Sequence, residues 1–88
     1  MISPDVVARY AGDAAREVDG VTGVVEGVRK GIRVEGAEVE LHLALRWGVS
    51  IPEVGAAVQH QVAGYLERMT ESRPAAVNVV VERIDGPA

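Results

Sequence analysis

AEVELHLALRWGV, from Ala37 to Val49, is the stretch that decides the fold. Val39, Leu41, Leu43, Leu45 and Trp47 fall on one side, and Glu38, Glu40, His42, Ala44 and Arg46 on the other. Strict alternation over this length predicts a strand with one face in a core and one toward water. A slip of one residue would invert every side chain, so its pairing is well specified. By parity, Trp47 is expected to be buried with the leucines, beneath whatever covers that face.

The flanking sequence supplies the cover. Downstream, Ser50-Ile51-Pro52-Glu53 reads as a capping box with proline in the first turn. Val54, Val58, Val62, Tyr65, Leu66 and Met69 then make the apolar stripe of a helix ending near Thr70. Upstream, Ser3-Pro4-Asp5 starts a helix with stripe Val7, Tyr10, Ala11, Ala14 and Val18, and Gly20 is a natural stop just past it. Val21 to Val28 is β-branched and broken by glycine, which predicts a short bent strand. Gly31 to Glu35 alternates as another strand before a turn at Gly36. After the loop Glu71–Pro74, Val77, Val79 and Val81 alternate in a last strand ending near Ile84. The expected fold is α+β: a two-layer sandwich of order α-β-β-β-α-β, with two helices packed on one face of a mainly antiparallel sheet. Residues 1–85 are expected to form a single domain and residues 86–88 a frayed tail.

Composition narrows the function. The 88 residues are 48% apolar, 25% charged and carry a net charge of −4, which disfavours both nucleic acid and anionic lipid as direct partners. There is no cysteine, so disulfides, thiolate metal sites and cysteine nucleophiles are excluded. The opening Met-Ile-Ser-Pro-Asp lacks the blocks of a signal peptide, and no apolar run approaches the roughly 20 residues that span a bilayer.

Catalytic chemistry finds little to stand on. His42 lies on a solvated strand face, and His60 near the polar side of the second helix has no histidine mate one turn away. Glu38, Glu40 and His42 share a strand face and make a weak surface metal set. Ser3 and Ser50 are caps, Ser72 is in a loop, and none sits in a nucleophile elbow. The glycines between Gly20 and Gly27 fit no phosphate-binding pattern. The expectation is a non-enzyme without metal or other cofactor. What remains is the open sheet face, with Arg33, Glu38, Glu40, His42, Arg46, Asn78, Val80 and Glu82 as the candidate interaction surface, alongside Glu35 and Ala44. A sheet edge is the alternative, the glycine-broken Val21–Val28 segment protecting it poorly.

The order of motifs adds a resemblance. Ile2-Ser3-Pro4-Asp5-Val6-Val7 is followed by Gly20-Val21, Gly23-Val24 and Lys30-Gly31-Ile32-Arg33-Val34. The alternating Val39–Leu43 leads into Trp47-Gly48-Val49-Ser50-Ile51-Pro52-Glu53-Val54, and then come Val58-Gln59, Leu66-Glu67-Arg68-Met69-Thr70 and Val77-Asn78-Val79. Over nearly its whole length the chain resembles the alkaline shock protein 23 family, the Gls-type envelope stress response proteins found mainly in Gram-positive bacteria. The resemblance implies a cytoplasmic protein with no catalytic motif. It implies assembly with copies of itself (a homo-oligomer) and placement near the membrane by a small membrane-anchoring partner protein, in response to alkaline or general envelope stress. Where the family often has glycine after Met-Thr, this chain has Glu71. The segment Glu26–Lys30 is short, and little chain follows the last strand. The alternative to a self-assembling scaffold is a small ligand- or lipid-associated binding module.

Overall fold

The computed structural model describes residues 3–26 and 31–86. Its elements follow the order α1 (Pro4–Arg16), β1 (Val21–Val24), β2 (Ile32–Glu35), β3 (Glu38–Arg46), α2 (Ile51–Thr70) and β4 (Ala76–Asp85). Both helices start as their sequences dictate. The Ser3 hydroxyl accepts from the Val6 amide at 3.3 Å and that of Ser50 from the Glu53 amide at 3.4 Å, each with proline in the first turn. α1 ends at Arg16, earlier than Gly20, and Gly20 takes φ +101° in the turn that leads into β1.

β3 is the spine of the sheet. β1 pairs antiparallel with its C-terminal half (Val24 opposite Leu43) and β2 with its N-terminal half (Arg33 opposite Glu40), so β1 and β2 share one flank. β4 lies alone on the other flank and runs parallel to β3, because α2 carries the chain back across the sheet before β4 begins. The sheet is therefore antiparallel in two of its three pairings.

Val39, Leu41, Leu43 and Leu45 are buried with Ala11, Ala14 and Ala15 of α1 and Val54, Val58, Val62, Ala63 and Leu66 of α2, so both helices cover the same face. α1 contributes small side chains and sits close. A Cβ on Gly12 would lie 2.9 Å from Cδ1 of Ile32, so any larger residue there would have to push that side-chain end aside. Tyr10 and Tyr65 meet edge to face at 5.9 Å and tie the two helices together.

Three expectations are corrected. Trp47 is 63% exposed, not buried. β3 ends at Arg46, and the chain leaves the sheet through a turn in which Gly48 has φ +90°, so the alternation that buried Leu45 stops before it reaches Trp47. Ala44 has the expected outward parity but is fully buried outside the main apolar cluster, with Gly23 and Arg83 as its register partners on the neighbouring strands. The first strand ends at Val24, and Val28, the expected end, lies outside the described residues.

Candidate functional site: the open sheet face

Register places the sequence-predicted residues in rows across the helix-free face. Glu35 and Glu38 sit opposite each other, Arg33, Glu40 and Asn78 form the next row, and His42 and Val80 the one after. Arg46 lies at the far end beside Asp85. Like charges opposite each other are unfavourable, and Arg33 relieves the first row by an ion pair to Glu35 at 2.9 Å.

The centre of the face is a histidine held between two carboxylates. His42 Nδ1 is 2.6 Å from Oε1 of Glu82, and Nε2 is 2.9 Å from Oε2 of Glu40. A neutral imidazole has one N–H to donate, and an imidazolium has two. Both contacts are satisfied together by the protonated ring. The hydrogen bonds to Glu82 and then Glu40 raise its pKa above the ordinary histidine value, against a smaller opposing effect of desolvation. The His42 side chain is 20% exposed, so the cluster is open to a docking surface. Among the described residues no group of three histidines or carboxylates is placed to hold a metal ion.

The other half of the face follows from irregularities that the sequence pattern does not announce. Two bulges flank the end of β3. One leaves Thr22 between Val21 and Gly23 on β1, and the other leaves Glu82 between Val81 and Arg83 on β4. The second inverts parity, so Arg83 and Asp85 join the outer rows and Ile84 turns to the inner side opposite Leu45. Arg83 Nε donates to Asp85 at 2.6 Å, and the Thr22 hydroxyl donates to the same carboxylate at 2.7 Å. These bonds, Arg83 first and Thr22 second, lower the Asp85 pKa. Arg46 reaches Asp19 at 3.3 Å. Thr22, Asp19, Arg83 and Asp85 are the members of this face that sequence reasoning missed. The glycine at 23 was a signal for the first bulge, but nothing in Val-Val-Val-Glu-Arg marks the second.

Comparison with known proteins agrees with this architecture. Solved structures of the C-terminal domain of MamM share the fold. A His-to-Ala variant superposes with a TM-score of 0.67 at 23% identity over 92% of this chain and 98% of that domain. A His-to-Glu variant gives 0.65 at 24%, over 90% and 93%. The uncharacterized protein YqhY of Bacillus subtilis (strain 168) is 35% identical over 95 residues, taking in 89% of this chain and 70% of that protein. The model of the alkaline shock protein 23 family matches residues 1–85. The chain belongs to this family, whose function is related to the cell envelope.

Proposed function

We propose that this chain is a non-catalytic interaction and scaffold module of the envelope stress response. In this reading it associates with copies of itself and is recruited to the membrane surface by a small anchoring partner protein. The observation that carries the proposal is the helix-free sheet face. It presents both signs of charge around exposed Val80, and its central histidine is engaged by carboxylates rather than paired with a nucleophile. Such a face can meet a complementary surface without burying a field of one sign. Among the described residues no helix is long and apolar enough to cross a membrane, which fits recruitment through a partner.

Sedimentation velocity across a concentration series tests self-association. The double variant Arg46→Glu, Val80→Asp tests the face, since exposed charges change folding by only about 0–1 kcal/mol. It is expected to keep the wild-type melting temperature and to associate more weakly. A wild type that remains monomeric at high concentration rejects the self-assembly reading, and a double variant that associates as well as wild type rejects the face.

One observation favours a second reading, a small ligand- or lipid-associated module. A half-open cavity of 620 Å³ lies between α1, the β2–β3 turn and the end of α2. Val7, Val34, Val39 and Met69 line it, with Arg68 and Arg73 among its polar wall. Flotation with anionic vesicles, lost on Arg68→Glu, would favour this alternative.

A further inference from the structure

The two flanks of β3 leave two edges, and backbone directions show what each presents. The His42 amide donates to the Gly31 carbonyl, and the His42 carbonyl accepts from the Val25 amide, so His42 points its backbone groups toward the β1–β2 flank. Backbone groups alternate along a strand. The odd residues of β3 therefore point toward β4, as the Trp47 amide does when it donates to the Asp85 carbonyl at 2.7 Å. Leu41 is the register partner of Val79. In a parallel pair its bonds go to the residues on either side of that partner, Asn78 and Val80. Val77, Val79 and Val81 must then aim their amides and carbonyls away from the sheet. A contact elsewhere agrees: the Gln59 side-chain amide of α2 donates to the Val77 carbonyl at 2.9 Å, from outside the β3–β4 ladder.

This outer row is unusually bare. β4 is ten residues long, and from Ala76 to Val81 it carries no charge, no proline and no bulge. Those are the devices by which proteins protect an edge. From α2, Ala56, Gln59, His60 and Ala63 line the groove beside Ala76 and Val77, with no carboxylate among them, and Arg73 lies at its end.

We propose that the outer edge of β4 is where two copies pair, antiparallel about a two-fold axis at Val79; this rests on the self-assembly reading above and adds to the open face the edge that borders it at Val80. A second copy is the occupant because the edge is complementary to itself. With the axis at Val79, that residue exchanges both backbone bonds with its own equivalent, and Val77 does so with Val81 of the second copy. Asn78 faces Val80, while Glu82 and Arg83 fall opposite Ala76 and Ala75, so no like charges meet. Arg73 is carried toward the end of the second strand that holds Glu82 and Asp85. The Val77 carbonyl has a second lone pair, and Gln59 is exposed and can swing aside. The result is one sheet continued through two chains, closed at a dimer by its symmetry.

The test replaces one edge donor without touching a side chain. The chain is made by chemical synthesis with Val79→N-methylvaline and compared with synthetic wild type by sedimentation velocity, with amide exchange followed by NMR at low and high concentration. Loss of one bond on each side of the axis, with a methyl in the seam, is expected to weaken association by about tenfold or more. The monomer is expected to fold unchanged, and in the wild type the Val79 and Val81 amides should become protected as concentration rises. Association undiminished by the N-methyl group, or Val79 and Val81 amides that exchange as fast in the dimer as in the monomer, overturns the β4 edge while leaving self-assembly standing. A wild type that never associates overturns both.

Discussion

The two edges of this sheet are built differently. On the β1–β2 edge the strands are four residues each, Arg33 and Glu35 alternate along β2, and a bulge at Thr22 twists β1. On the β4 edge ten residues run on, uncharged through their first half. The first edge is protected by shortness, charge and irregularity. Among the described residues, the second is guarded by the Gln59 amide on the Val77 carbonyl. An edge left this open in a folded chain reads as a place of contact. Glycines between Val21 and Val28 mark that edge as weak in the sequence, yet the weaker protection lies at the other side of the molecule.

The strongest way to break the comparison is to break both edges at once. Leu43 pairs with Val24 on one side and Val81 on the other and is fully buried. Leu43→Ala is expected to cost about 2–5 kcal/mol in urea unfolding. A cost well below 1 kcal/mol would mean that β3 is not the shared spine.

The edges separate with charge. Val80→Lys adds to β4 the kind of guard that β2 already has, on a side chain exposed to water. Association is expected to weaken by about tenfold, with unfolding free energy within about 0.5 kcal/mol of wild type. Stripping the guard from β2 by Arg33→Val with Glu35→Val should create new concentration-dependent association, read by the same sedimentation series. If neither change moves the association constant, charge does not distinguish the edges.

The loop that feeds β4 offers a smaller effect of opposite sign. Glu71 closes α2 in the left-handed region at φ 60°, the conformation that glycine adopts at least cost. Glu71→Gly is expected to stabilise the fold by about 1 kcal/mol, raising the melting temperature. A lower melting temperature would show that the Glu71 side chain, not its backbone, holds the loop.

Trp47 and His42 give the smallest changes. Trp47→Ala is expected to cost no more than about 1 kcal/mol, and the wild-type emission should be that of a water-exposed indole. The His42–Glu82 bond ties β4 to β3 on the open face. Because the folded pKa of His42 is raised, its contribution to stability is complete below the unfolded value of about 6.5 and is lost as pH rises through the folded value. The melting temperature should therefore fall over that interval by a degree or so more in wild type than in His42→Asn, and equal slopes would remove the clamp from the account.

The sequence by itself determined the order of elements, both helix starts, the inward face of β3 and its outward row of Glu38, Glu40, His42 and Arg46. Those rest on local rules, namely caps, period and parity, which need no knowledge of neighbours. It also put His42 on an open face, but not in a clamp, because Glu82 reaches the ring only after α2 has brought β4 alongside β3. Tertiary structure alone decided where alternation stops. Trp47 and Val81-Glu82-Arg83 look periodic in the chain, yet a turn exposes the first and a bulge inverts the second. Both depend on how long the partner strand continues to pair. The same is true of the edges, since which backbone groups face water follows from pairing, and pairing joins residues far apart in the chain.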